Sequence, residues 1–380
     1  MSAPYLVLGL GVTGAAVARA LVAHGEGLLL ADDRPGDAAR TLAAELGVEL
    51  VTAPRADELT RLVKGSAAVL PAPGLPAHHP VFGTAAEAGV PILSEFDLAG
   101  WWDDRPVLAV TGTDGKTTVT TLVRDMLVAS GLRAEAVGNT EVPLVEAITD
   151  PATDVFVAEA SSFRLDHSRR FAPAVATWLN FAPDHLDSHP TLAAYEAAKA
   201  RIWRDQGPDQ VAVGNTDDPV VTRHLRRAPA RQVGFGLVPY GHSPDAAGAP
   251  EVTVVDGVLR GPGGVEVVAI DELPRRLPHD VANALAAVAT AVSGGAAPEA
   301  AASVLRAFTG LPHRVAFVGE AGGVRYYDDS KATTPHAAVA GVSGFESVVM
   351  ISGGRDKGLD LRELRGAAGR VRAVVAIGEA

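Results

Sequence analysis

The chain contains no cysteine, which excludes a disulfide framework, a zinc-thiolate centre and a cysteine nucleophile, and fits a reducing compartment. It has no apolar run near the roughly 18 residues that a membrane helix needs. Its N-terminus, MSAPYLVLGLG, lacks a basic leader and runs directly into a strand pattern. The expectation is a soluble, cytoplasmic protein without membrane insertion. Positive charge is also scarce, the formal net charge being −12 at pH 7. Binding to a nucleic-acid backbone draws on excess Lys and Arg, so no nucleic-acid partner is expected; local loops can still hold small anions. Lysine is scarcest of all. Of 33 lysines and arginines only five are lysine: Lys64, Lys116, Lys199, Lys331 and Lys357. An amine kept among arginines by more than chance marks a place where a planar, permanently charged guanidinium does not serve. Four of the five, all but Lys64, fall in the motifs below.

What is present reads as α/β. With 380 residues, 47% of them hydrophobic, the chain can fill two or three separate cores. Over the first hundred residues, short apolar runs (YLVLGL, LLLAD, AAVLPAPG) alternate with amphipathic stretches (AAVARALVAHG, AARTLAAELG, FGTAAEAG), the rhythm of a doubly wound parallel sheet. WWDDRP, Trp101 to Pro106, reads as a linker. A second α/β unit starts at VLAVTG and carries strands VFVAEA and AVATWLN, with helices at Thr117 to Ala129 and Leu192 to Trp203. GHSPDAAGAP, Gly241 to Pro250, reads as a loop. The following EVTVVDGVLRG reads as a hairpin turning at Asp256 and Gly257. Helical patterns return at Asp280 to Val292 and Pro298 to Phe308. A third unit begins near LPHR, with strands VAFVGE, VRYYDD, VVMISGG and VRAVVAIG; it holds little more than one strand-helix-strand cycle and is expected to be incomplete.

Two loops carry phosphate chemistry. GLGVTG, Gly9 to Gly14, fits GxGxxG between a strand and a helix, with Asp32 and Asp33 ending the next strand. Such a loop suits a dinucleotide, another nucleotide or a purely structural turn. AVTGTDGKTT, Ala109 to Thr118, ends a strand and opens a helix. Backbone amides around Gly112 to Lys116 suit ATP phosphates, Lys116 the β/γ oxygens and Thr117 a Mg²⁺ ion. The position five before Gly115 is Val110 rather than glycine. EASSF puts Glu159 at a strand's C-terminal end, where α/β proteins hold ligands. NFAPDHLDSH packs Asp184, His185, Asp187 and His189 together, suiting Mg²⁺, an anionic substrate or an ordinary polar loop. Lys199 lies on the helix AAYEAAKARIW, where a lysine ordinarily faces solvent. LPHR, DDSKATTPHA and GGRDKG add His313, Arg314, Asp329, Lys331 and Lys357, either a cluster for phosphoryl transfer or surface ion pairs.

Taken together, TGTDGKTT, EASSF, DHLDSH with AAYEAAKARIW, LPHR and DDSKATT resemble, in order and spacing, the Mur ligases of peptidoglycan synthesis. DDSKATT and EASSF favour the D-glutamate-adding branch over the L-alanine-adding one. The resemblance implies three domains: a Rossmann-like UDP-precursor domain (1–103), a central P-loop ATPase α/β domain (104–310) and a partial C-terminal Rossmann-like domain (311–380). It implies a cytoplasmic, monomeric ligase whose partners are UDP-N-acetylmuramoyl-L-alanine, D-glutamate and ATP, with Mg²⁺ at two sites and no NAD. Val12, Thr13, Asp32, Asp33, Arg34, Ala72, Pro73, Gly74, Asn139, Ser161 and His185 would hold the UDP precursor. Gly112, Thr113, Asp114, Gly115, Lys116, Thr117, Thr118, Asn283, Arg314 and Asp329 would hold ATP. His313, Lys331, Thr333 and Lys357 would serve the amino acid and phosphate. Lys116, Glu159, His185 and Lys199 would be catalytic; Thr117, Glu159, His185 and Lys199 would be metal ligands, the last as N6-carboxylysine. The chain departs from the family pattern at Asp114, usually Asn, and at GNTEV, usually GNIG.

Overall fold

The structure, a computed structural model, describes residues 3–139, 142–185, 188–237, 250–355 and 359–378. Among them the first sheet has four strands, all parallel, in the spatial order Leu50–Thr52, Leu28–Asp32, Tyr5–Leu8, Ala68–Pro71. Leu6, Val7 and Leu8 are buried because helices cover both faces. The short strand Leu50–Thr52 and helix Ala56–Lys64 complete a rhythm that the apolar runs only partly display.

The expected linker is shorter than WWDDRP. Trp101 and Trp102 form the last turn of helix Glu95–Trp102, and irregular chain begins at Asp103. Ser94 starts this helix by accepting from the Phe96 amide, while the Asp97 carboxylate accepts from the Ser94 amide, a reciprocal cap that fixes the entry of the chain.

The second sheet has six parallel strands, in the order Arg231–Phe235, Val211–Asn215, Val175–Trp178, Val107–Thr111, Val155–Glu159, Ala134–Gly138. Helices Lys116–Ala129 and Pro278–Ser293 pack against it, burying Val119, Val123, Leu285 and Val288. The hairpin forms as read: Val255 pairs with Val258, and Asp256 and Gly257 sit at φ 51° and 77°, the left-handed pair that a two-residue hairpin turn requires. A third strand, Glu266–Ala269, joins it.

The third unit differs from a run of parallel strands. Ala316–Ala321 and Val324–Asp328 are antiparallel, turned by Gly322 and Gly323 at φ 59° and 75°. Val348–Gly354 and Val371–Gly378 form a separate parallel pair. Phe317, Val318, Tyr326, Val349, Ile351 and Ile377 on these strands are more than half exposed.

Candidate functional site

The strand Tyr5–Leu8 delivers the chain to Gly9, whose φ of +88° is open chiefly to glycine. At Gly14 a Cβ would sit 1.9 Å from the Gly9 carbonyl oxygen, so the loop can close only with glycine there. Asp32 reaches across from the next strand: its carboxylate accepts from the Leu10 amide at 2.7 Å and the Arg34 amide at 2.8 Å. This acid shapes the loop. Asp33 and Arg34 are exposed, and Asp33 meets His79 at 3.1 Å. Val12 is exposed at the first turn of helix Val12–Ala23, which has neither a side-chain cap nor an acid there and leaves amides oriented for an anion. The Ala72 amide donates to the Leu8 carbonyl, bringing Ala72, Pro73 and Gly74 beside the same loop.

The second loop opens where the strand Val107–Thr111 ends. Val110 is fully buried within that strand, so the phosphate turn begins at Gly112 and needs no glycine at 110. Gly115, at φ +84°, is the N-cap of helix Lys116–Ala129. Asn180 braces the loop, its side-chain oxygen accepting from the Thr113 and Asp114 amides at 2.9 Å each while its Nδ2 donates to the Asp114 carbonyl at 3.1 Å. These two amides are therefore engaged in shaping the loop. The Thr113 hydroxyl likewise donates to the Ala182 carbonyl. Lys116 folds back, its Nζ donating to the Gly112 and Thr113 carbonyls at 3.0 and 2.9 Å.

Lys199 is the largest departure from its sequence environment. Instead of facing solvent it is 1% exposed, its Nζ donates to the same Gly112 carbonyl at 2.7 Å, and it lies over the Tyr195 ring. Burial lowers its pKa well below the lysine range, and the neighbouring Lys116 charge lowers it further; Asp184, Asp114 and Glu159 pull the other way. The result is a buried amine poised to lose its proton.

Glu159, 3% exposed at the end of its strand, accepts from Asn139 Nδ2 at 3.0 Å. Asn139 in turn accepts from Arg164, and the same guanidinium donates to the Thr13 hydroxyl at 3.0 Å. Thr13, Arg164, Asn139 and Glu159 thus form one continuous line from the first loop to the second sheet. Arg164 was not singled out in the sequence, nor was its partner Glu95, 2.8 Å away. Burial raises the Glu95 carboxyl pKa, opposed by Arg164 and by the Val145 and Leu144 amides. The two side chains are 5% and 1% exposed, so Glu95→Ala leaves an uncompensated buried guanidinium and should cost about 3–5 kcal/mol of stability. A denaturant melt measures it.

Ser161 caps helix Ser162–His167, accepting from the Arg164 amide. His185 takes a left-handed φ of 55°, approaches Asp184 at 3.3 Å and meets the Phe163 ring edge-on; His189 contacts Ser162 at 2.9 Å. Among the described residues no three His, Asp or Glu side chains come together as a ready metal cage. The Glu159 carboxylate and the Thr117 hydroxyl are oxygen donors of the kind Mg²⁺ takes, an ion that keeps several waters and relies on few protein ligands plus substrate phosphates.

A cleft lies between the phosphate loop and the third unit, lined by Asp114, Thr118, Asn283, Arg314, Asp329 and Lys331 among others. Arg314 donates to the Thr117 hydroxyl at 3.0 Å and His336 meets Asp114 at 2.8 Å. Asp329 accepts from the Val315 amide, and burial raises its pKa. His313 pairs with Asp328 at 2.6 Å, holding that carboxyl down at about 2. Thr333 is exposed. Lys357, Asp187, Thr140, Glu141 and Gly241 to Ala249 lie outside the described residues.

These features define an α/β protein with two separate glycine-containing loops, each between a strand and a helix. The Mur ligase middle domain matches residues 110–291. The chain is 44% identical to a UDP-N-acetylmuramoylalanine–D-glutamate ligase of Frankia casuarinae, over 99% of this chain and 79% of that protein, and 40% identical to one of Thermobifida fusca, over 98% and 81%. The chain belongs to the Mur ligase family. Its fold is shared with a UDP-N-acetylmuramate-alanine ligase of Thermotoga maritima, at TM-score 0.55 and 20% identity over 99% of this chain and 85% of that one. A pseudomurein peptide ligase type C of Methanothermus fervidus matches at TM-score 0.57 and 18% identity over 99% and 88%. No helix among the described residues is long and apolar enough to cross a membrane.

Proposed function

We propose that the protein is an ATP-dependent ligase that joins D-glutamate to UDP-N-acetylmuramoyl-L-alanine in peptidoglycan precursor synthesis. The single observation that carries this reading is the hydrogen-bonded line Thr13, Arg164, Asn139, Glu159, which ties a UDP-type loop to the ATP-type loop's sheet. A substrate anchored at the first loop can then present its far end to a phosphate held at the second. The amino acid is the one named for the Frankia and Thermobifida relatives.

In this reading the units are 1–103 for the UDP precursor, 104–310 for ATP and 311–380 for the ligase domain, in a cytoplasmic monomer. Val12, Thr13, Asp33, Arg34, Ala72 to Gly74, Asn139, Ser161 and His185 contact the precursor, with Asp32 shaping their loop. Gly112 to Thr118 take the triphosphate, Asn283 the adenine, and Arg314 and Asp329 the nucleotide's open side. His313, Lys331, Thr333 and Lys357 receive D-glutamate and phosphate.

A carboxylate is a poor electrophile in water, so amide formation needs activation. The alanyl carboxylate oxygen attacks the γ-phosphorus, the bond to the bridging oxygen breaks, and ADP leaves. The D-glutamate nitrogen then attacks the acyl carbonyl, loses a proton, and the C–O bond breaks to release phosphate. Lys116 turns from the loop carbonyls to the β/γ oxygens, where charge accumulates. Lys199, whose pKa is lowered by burial, loses its ammonium proton; the neutral nitrogen then adds to CO₂ and loses a second proton, so that a cation becomes a carbamate oxygen donor. Thr117, Glu159, His185 and carboxylated Lys199 would hold Mg²⁺ at two sites, which neutralises phosphate charge when bound.

An oxygen label tests the route. With ¹⁸O in the alanyl carboxylate, the released phosphate should carry one labelled oxygen; unlabelled phosphate contradicts the acyl-phosphate path. The exposed apolar residues of the third unit favour a second reading, nucleotide binding without turnover. Multiple turnovers per chain exclude it.

A further inference from the structure

Asp114 puts a fixed negative charge into a loop built for phosphate. Its backbone is clamped on both sides by Asn180, so the carboxylate cannot be carried away by a movement of the loop without breaking that brace. Its Oδ2 is 2.8 Å from His336 Nδ1. His336 stands in the first turn of helix Pro335–Ser343, which Thr334 caps through the Ala337 amide. The helix belongs to the third unit, and the contact crosses 222 positions of chain. Both side chains line the cleft that also holds Asn283 and Arg314.

We propose that His336 is a positioning residue of the ATP site: it docks the third unit on the phosphate loop and offsets the charge of Asp114 beside the triphosphate. The proposal rests on the reading of this cleft as the ATP site. Three carboxylates act on the imidazole. Asp114 does so by the direct hydrogen bond; Glu363, on the short helix Leu361–Ala367, and Asp218, the cap of helix Pro219–Leu225, act through space. The hydrogen bond to Asp114 is the main reason that the imidazole pKa is raised, and burial opposes it. A cation at His336 lets Asp114 brace the loop without repelling phosphate. Arg314, from the same unit, reaches Thr117 one turn along, so the unit grips the loop at two points and leaves the cleft between them.

Charge compensation and simple docking give different results. If His336 offsets Asp114, the His336→Gln substitution should weaken binding in proportion to ligand charge: about tenfold for ATP, the weight of a charged hydrogen bond, less for ADP and little for adenosine. In an Asp114→Asn background the same substitution should change ATP affinity less than twofold, because no charge remains to offset. Calorimetric titration of the full chain with MgATP, MgADP and adenosine reads all three, and a steady-state assay should show the loss in KM for ATP with kcat held. Equal losses for the three ligands, or equal losses in both backgrounds, would overturn the proposal. Failure of the ligase reading looks different: the parent chain itself would then bind no ATP, or would turn over without need of D-glutamate.

Discussion

Lys199→Ala should lower D-glutamate-dependent phosphate release by about 10²–10³-fold, the usual weight of a preorganised charged group at a reacting centre. Removing a helix-surface lysine would do almost nothing, but Lys199 is buried at the carbonyl of Gly112, in the phosphate loop itself. Its amine is pushed toward neutrality first by burial and then by Lys116, the state in which nitrogen attacks CO₂. If a carboxylated lysine is the working form, acetate or formate should partly restore the alanine variant by supplying the missing oxygen donor. Lys199→Arg should not be restored, since a guanidinium adds to CO₂ poorly and keeps its charge. Lys199→Met controls for folding: it fills the same space with an apolar chain and should melt no lower than the parent. An alanine variant with full activity would make this lysine a structural residue.

The second large effect belongs to Lys116. Lys116→Met should reduce kcat by about 10²–10³-fold, because no other lysine on the helix Lys116–Ala129 can replace its contact with the transferring phosphate. The substitution has a second consequence. Lys116 and Lys199 share the Gly112 carbonyl, and removing one cation lets the other hold its proton more tightly. Carboxylation of Lys199 should therefore need higher pH in Lys116→Met than in the parent, seen as a shift of the activity profile to alkaline pH. Parent-like turnover would mean that Lys116 stays on the Gly112 and Thr113 carbonyls as a brace.

Most of the architecture was legible because its signals are local. Strand-then-helix alternation announces parallel sheets, and Asp256 with Gly257 announces a two-residue turn whose φ values the structure bears out. The antiparallel pairing of Ala316–Ala321 with Val324–Asp328 had an equally local signal, Gly322 and Gly323, masked by the expectation of parallel strands. The three-residue strand Leu50–Thr52 is too short for periodicity to register, and in WWDDRP the two tryptophans finish a helix just before the acidic pair.

The site was legible where function imposes a motif and opaque where tertiary contact does. The phosphate loop and Glu159 stand where their motifs put them. The burial of Lys199 had a readable cause: Tyr195, Ala198, Lys199, Ile202 and Trp203 recur at helical spacing on the buried face of Leu192–Arg204. That stripe predicts a buried lysine once it is drawn. Arg164, Glu95, Asn180 and His336 had no such cue, because each acts through partners from 25 to 222 positions away, or lies in a segment singled out for other residues. For Arg164 the nearest hint is a lone charge in SSFRL, which only the meeting of the two loops explains.

The central claim is tested most directly by phosphate release from the purified chain given ATP, Mg²⁺ and UDP-N-acetylmuramoyl-L-alanine, with and without D-glutamate. Release that depends on D-glutamate, and is not supported by L-alanine, L-lysine or meso-diaminopimelate, is the predicted result. Release supported by one of those amino acids and not by D-glutamate, or no release with any of them, would contradict it.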